Sequence, residues 1–183
     1  DGAGKGYWSE RLSSALRTTG LRADVVNIDH WLALPSQRFD VDRPGRNFYE
    51  RGIRFEDMLA DLLRPMQRSR SHRVTINAAD ASKVDRFRRH TIDLMIECIF
   101  LLKRYLRDEF DLRIWIDCTF ETALERALRR GQECLPEREV IRDYHSIYFP
   151  AQQLHFELDD PRACADIVVV NDKRLAGSAR ATA

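Results

Sequence analysis

The chain has 183 residues, with 30 basic side chains against 29 acidic ones and a net charge of +1. That length suits one domain with a core large enough to fold without disulfides or metal, and the charge balance leaves no global field to argue for nucleic acid or an anionic membrane. Cys98, Cys118, Cys134 and Cys164 form no C-x-x-C pair and have no histidine at zinc-finger spacing, so reduced thiols in a cytoplasmic protein are the simplest expectation. No apolar run is long enough to span a bilayer and no signal peptide is visible, although the missing initiator methionine leaves room for a removed targeting segment.

The first six residues, DGAGKG, read as the end of a phosphate-binding loop that opens a helix near Tyr7. The full pattern, G-x-x-x-x-G-K-[ST], uses glycines to wrap backbone N–H groups around phosphates and a lysine to neutralise them. Gly4 and Lys5 fit. The first glycine would lie just before Asp1, and Gly6 stands where the pattern has Ser or Thr; a flexible glycine-rich tail is the alternative reading. Over 6–19, Leu12, Ala15 and Leu16 recur at helical spacing and Gly20 supplies a stop. Residues 21–29 (LRADVVNID) read as a strand ending in Asp29. From His30 to Gly52 the chain makes a long excursion without a sustained period, and such excursions are usually functional.

A second helix is expected over 53–66, on Ile53, Phe55, Met58, Leu59, Leu62 and Leu63. The basic stretch 64–73 reads as a solvated turn, 74–77 as a short strand, and 79–90 gives no firm period. TIDLMIECIF at 91–100 suits a buried strand carrying Glu97, which needs a partner there. Residues 101–110 read as mixed helix or loop, and 112–117 as a strand ending in Asp117. Thr119 then caps a helix with Glu121 in its first turn and Gly131 as its stop. A further helix is expected over 136–149, ended before Pro150. Residues 167–170 form the last strand, and 176–183 are a polar tail.

Strands alternating with helices predict an α/β fold with a mainly parallel sheet covered by helices on both faces. Ligands in such sheets bind at the carboxyl ends of the strands, which gathers Asp29, Glu97, Asp117 and the glycine loop at one edge. A strand before the loop is expected from residues that precede Asp1.

In this order the pieces resemble the uridine kinase and phosphoribulokinase-like branch of the P-loop kinases. Beyond GAGK the resemblance covers NID and HWL at 27–32, NFYERGIRFEDML at 47–59, IDLMIECIFLLKRYLRDEFDLRIWIDC at 92–118, TALERALRRGQE at 122–133 and the final segment at 148–172. It implies a three-layer P-loop NTPase fold, one kinase domain over 1–175, and ATP with Mg²⁺ as cofactors. Gly2, Ala3, Gly4, Lys5, Gly6 and Tyr7 would hold ATP, Asp29 would orient or deprotonate the acceptor hydroxyl, and Glu97 with Asp29 would stand in the metal shell. Arg126, Arg129, Arg130 and Arg138 would supply lid arginines on the transferring phosphate, a role worth roughly 10³–10⁵ in rate. The partners implied are ATP and a small hydroxyl acceptor, with no nucleic acid or membrane; a homo-oligomer is compatible.

Each role has a structural alternative. Asp29 could cap a turn, Glu97 could be a partnered structural carboxylate, and the arginines could complement the dipole at a helix end. His30 and His145 suit surface or packing roles. Trp31, Phe48, Tyr49 and Phe55 suit the core or an acceptor pocket. Three departures separate the chain from the family pattern: Gly6 lacks the metal-binding hydroxyl, Cys98 replaces the glycine after the family's Glu, and the uracil-gripping segment has no counterpart at 77–90. A small-molecule kinase, a nucleotide-binding regulator on the same fold, and a P-loop kinase for another alcohol, such as pantothenate or an antibiotic hydroxyl, all remain open at this level.

Overall fold

The computed structural model describes residues 2–21, 23–68, 71–75, 86–90, 93–131 and 134–176. They fall into two units, one made of Gly6–Cys98 and the other of Asp1–Lys5 with Ile99–Ala183.

In the Gly6–Cys98 unit, α1 (Lys5–Thr18) leads to β1 (Ala23–Asn27) and a 3-10 turn (Ile28–Trp31). The helix buries Ser9 and Ser13, whereas Leu12 and Leu16 are half-buried and Ala15 is exposed. Small side chains let the helix approach closely, and the Ser13 hydroxyl donates to the Ala23 carbonyl at 2.7 Å, so the polar group is satisfied in place. β1 pairs in parallel with β4 (Asp93–Glu97), with Asn27 opposite Glu97 at the carboxyl end. Leu94 to Cys98 are half-buried, less covered than the apolar run predicts.

The excursion after β1 holds two short helices, α2 (Pro35–Arg38) and α3 (Pro44–Arg51). Each opens on proline, which is tolerated there because the first helical N–H has no acceptor to lose. The excursion closes on itself: Ala33 N–H donates to Gly52 at 3.0 Å and Arg54 N–H to Trp31 at 2.8 Å. Beneath it Ile28, Trp31, Phe48, Phe55, Met58 and Leu62 are buried, so Trp31, Phe48 and Phe55 belong to the core, while Phe39 is exposed.

The expected second helix is α4 (Phe55–Met58), a π-helical turn (Leu59–Leu63) and α5 (Arg64–Arg68) in succession. Arg64 to Arg68 are therefore helical rather than a turn. An antiparallel pair follows, β2 (Ser71–Thr75) with β3 (Arg86–His90); the rest of the expected strand at 74–77 lies outside the described residues. β3 falls where the sequence shows no period, because a strand of Arg, Phe and His offers little apolar alternation.

In the other unit, β5 (Ile114–Asp117) pairs in parallel with β6 (Ile167–Val170). Between them lie α6 (Phe120–Arg130), α7 (Glu137–Asp143) and α8 (Phe149–Asp159), and α9 (Lys173–Ala176) follows. Thr119 caps α6 as expected, its hydroxyl accepting from Thr122 N–H, and Gly131 ends the helix with φ +60°. The helix expected to stop before Pro150 continues to Asp159. A π-helical turn (Tyr144–Tyr148) joins α7 to α8, with Phe149 N–H bonding five residues back to Tyr144. The wider turn shifts the bonding ladder just where proline has no N–H to give and where its ring would crowd the Ser146 carbonyl. The same arrangement precedes Pro65, where Arg64 N–H reaches back to Leu59.

The core of this unit gathers Ala123, Ala127, Val140, Tyr144 and Phe149, with Phe120 against it and stacked on Phe149 at 4.4 Å between ring centroids. Beside it, fully buried His155 holds Asp159 at 2.7 Å and meets Phe100 edge-on; Asp159 also accepts from Arg104 N–H at 3.0 Å. Burial pushes the His155 pKa below its ordinary value of 6.5 and outweighs the opposing pull of Asp159, with the Lys103 charge acting in the same direction as burial. Below about pH 6.5 the unfolded chain binds a proton that the folded unit resists. The stability owed to neutral His155 is present above that pH and is lost as pH falls. Thermal melts between pH 8 and 5 should show Tm declining below 6.5, with a shallower decline in His155→Gln; an identical slope would refute this assignment.

Candidate active site

The glycine loop is held from its carbonyl side. Arg126, half-buried on α6, donates through Nη1 to the carbonyls of Gly2 at 3.2 Å and Ala3 at 3.3 Å, and through Nη2 to that of Asn171 at 2.8 Å. Asn171, the first residue after β6, adds its amide Nδ2 to the Ala3 carbonyl at 2.7 Å. In a planar trans peptide the N–H points opposite to the C=O. The N–H groups of Ala3 and Gly4 are therefore directed away from Arg126 and Asn171.

Both glycines of the loop are left-handed, Gly2 at φ +71° and Gly4 at +91°. At Gly2 a Cβ would also lie 2.5 Å from the Ala123 carbonyl oxygen, so no side chain fits. Lys5 then opens α1 with no acidic residue in the first turn. The first N–H groups of a helix lack intrahelical acceptors and carry the positive end of its dipole. The glycine-rich turn, its Ala3 and Gly4 amides and the lysine are group types that suit an anion such as phosphate.

The carboxylate-bearing residues lie in the Gly6–Cys98 unit. Glu97, at the end of β4, places both carboxylate oxygens 3.6 Å from where a Cβ of Gly6 would stand. Asn27 Nδ2 donates to Glu97 Oε1 at 3.2 Å, while Asn27 Oδ1 accepts from Asp29 N–H at 2.7 Å. Asp29 is exposed, two residues beyond β1 in the 3-10 turn. Among the described residues no group of three or more His, Cys, Asp and Glu is placed to hold a metal. A small donor set of this kind fits Mg²⁺ bound mostly by substrate phosphates and water, which needs only one or two carboxylates from the protein. Glu97 and Asp29 are the residues that could supply them.

Other expected site residues take varied positions. Arg129 and Arg130 are exposed in the last turn of α6 and Arg138 is exposed on α7. Tyr7 is exposed, its hydroxyl accepting from Arg11 at 3.0 Å. Arg126 has its guanidinium engaged with the loop backbone. Asp117 is ion-paired with Arg162 at 3.0 Å. His145 is exposed and lies edge-on to Phe149, and His30 lies edge-on to Trp31.

Three residues of this arrangement escape the sequence reading. Asn27 and Asn171 follow the strand cores and could have been found by asking what stands at each carboxyl end. Asp172, buried, accepts from Thr119 N–H at 2.9 Å and Thr119 Oγ1 at 2.6 Å, and from Arg174 N–H at 2.9 Å. Burial opposes its charge, but these bonds outweigh burial and hold the carboxyl well below the usual carboxylate range. It ties the end of β6 to the start of α6, the helix that carries Arg126.

Two substitutions test the loop's support. Gly2→Ala combines a left-handed backbone with overlap at Ala123 and should destabilise by roughly 1–3 kcal/mol or more. Arg126→Met keeps the stem and removes the donors to the Gly2, Ala3 and Asn171 carbonyls, at a cost of about 1–3 kcal/mol. Chemical denaturation monitored by fluorescence measures both, and wild-type stability in either would contradict the described contacts.

No family model matches this chain, and no curated protein matches it significantly. Among solved structures it is similar to a possible uridine kinase from Bacillus stearothermophilus, with a TM-score of 0.66 and 20% identity over 91% of this chain and 82% of that one. It is also similar to a kinase assigned provisionally to a fructose transport system in a Silicibacter species, with a TM-score of 0.60 and 18% identity over 91% of this chain and 84% of that one. At such identities the likeness is one of fold: the chain shares an α/β fold, with parallel strands and many helices, with these two structures.

Proposed function

We propose that the chain is an ATP- and Mg²⁺-dependent kinase that transfers the γ-phosphoryl group to a hydroxyl of a nucleoside or another sugar-like acceptor. The observation that carries this reading is the loop Gly2–Lys5, whose Gly2 and Ala3 carbonyls are held by Arg126 and Asn171 so that the Ala3 and Gly4 amides turn away from them. The kinases that share the fold support it. On this reading residues 1–175 form one three-layer kinase domain. A cytoplasmic setting suits its substrates, and no described helix is long and apolar enough to cross a membrane.

The loop amides and Lys5 hold the β- and γ-phosphates. Asp29 accepts the proton of the acceptor hydroxyl as its oxygen forms a bond to the γ-phosphorus and the bond from that phosphorus to the ADP oxygen breaks. Glu97 and Asp29 provide carboxylate oxygens for Mg²⁺, which when bound neutralises charge developing on the phosphate oxygens. Arg129, Arg130 and Arg138 are the exposed cations able to approach the transferring group, where fixed positive charge stabilises the transition state. Arg126 serves instead to seat the loop.

Gly6 favours a second reading, a nucleotide-binding regulator, because the hydroxyl that P-loop kinases direct at the metal is absent. Phosphorus NMR of ATP with pooled nucleosides and sugars separates the two. A kinase should yield a phosphomonoester, and Lys5→Ala and Asp29→Asn should each abolish it. ATP binding without product across the pool would favour the regulator, and turnover that survives both substitutions would sink the kinase assignment.

A further inference from the structure

Asn27 is exposed and belongs to no expected site, yet the two ends of its amide hold the two carboxylate-bearing residues assigned above. Its Oδ1 fixes the backbone N–H of Asp29 at 2.7 Å, and its Nδ2 holds Glu97 Oε1 at 3.2 Å. The parallel register makes this possible, since Asn27 stands directly opposite Glu97 where β1 and β4 end. The same carboxylate lies beside Gly6, with both Glu97 oxygens 3.6 Å from where a Cβ of Gly6 would stand. In the rotamer that faces Glu97, an Oγ built on that Cβ would approach the carboxylate.

We propose that Asn27 is a positioning residue that sets the spacing between Asp29 and Glu97, and that Gly6 admits the Glu97 carboxylate to the position a P-loop hydroxyl would otherwise occupy. This rests on the kinase reading. Only an amide suits the place of Asn27, because it must accept from a backbone N–H and donate to a carboxylate with one planar group. Aspartate would keep the acceptor and set two carboxylates against each other. Serine keeps a capping oxygen and is too short to reach across to Glu97. Outer residues that orient metal ligands typically contribute about 10–100-fold to metal affinity.

The test uses Asn27→Ser and Glu97→Gln, singly and together, in the full chain. Mn²⁺ binding is followed by electron paramagnetic resonance in the presence of a non-hydrolysable ATP analogue, alongside thermal melts. Asn27→Ser should keep the wild-type Tm, since serine also caps turns, while Mn²⁺ affinity in the nucleotide complex falls about 10–100-fold. In the Glu97→Gln background the same change should cost little more, because its effect runs through the Glu97 carboxylate. Unchanged Mn²⁺ affinity in Asn27→Ser, or an equal loss with and without Glu97, overturns the positioning role and leaves the kinase reading standing. A wild-type chain that binds no Mn²⁺ with the nucleotide analogue overturns both. Gly6→Ser adds an independent arm: a fall in Mn²⁺ affinity supports displacement of Glu97 by the hydroxyl, and a rise refutes it.

Discussion

The guanidinium of Arg126 is the contact on which the glycine loop depends. A loop of Gly, Ala and Gly has no side chain with which to fix itself, and left-handed glycines give up more conformational entropy on ordering than other residues. Something outside the loop has to set its orientation. One planar group with donors in a fixed fork reaches the carbonyls of Gly2, Ala3 and Asn171, which a lysine ammonium, as a point charge, does less well. The support extends outward through Asn171 to β6 and through α6 to Thr119 and Asp172. Loop, strand end and helix start in this unit are thus one hydrogen-bonded assembly, and the direction of the loop amides follows from it.

In the Gly6–Cys98 unit the placement of the carboxylates depends on register. Parallel pairing of β1 with β4 brings Asn27 opposite Glu97, and a slip of one residue would put the two side chains on opposite faces. The 3-10 turn after β1 then carries Asp29 clear of the strand while its N–H stays fixed by Asn27. Glycine at position 6 belongs to the same arrangement. It removes a hydroxyl, and it also leaves room for a carboxylate at 3.6 Å. What reads in sequence as a defect of the motif is, in space, the place where a neighbouring group comes in.

Much of this was legible beforehand where local rules and tertiary packing agree. Thr119 as cap, Gly131 as stop, β6 at 167–170 and the strand carrying Glu97 follow from local chemistry and apolar runs. The loop and its lysine were legible as a motif. The contacts of Arg126 with the loop were not legible, because a basic residue on a helix says nothing about which carbonyls lie beside it. Asn27 and Asn171 went unseen for a related reason. Their importance lies in partners 70 and 168 residues away, and a neutral amide carries no charge or period to mark it. The Ser9 and Ser13 face of α1 shows the opposite failure, in which apolar spacing pointed to one stripe and small polar residues were buried on another.

The π-helical turn at Tyr144–Tyr148 affects how this chain compares with others. An α-helix turns about 100° per residue, so residues five apart stand far from one another around it; across a π turn they come into line. That is how Tyr144 and Phe149 meet, with ring centroids 5.3 Å apart, in one core. The apolar spacing of Val140, Tyr144 and Phe149 is four and then five, which no single period describes. A regular helix covering the same ground would need one residue fewer. Letter-by-letter alignment to such a helix shifts every position beyond Phe149 by one, so buried His155 falls out of register unless a single-residue gap is opened within the turn.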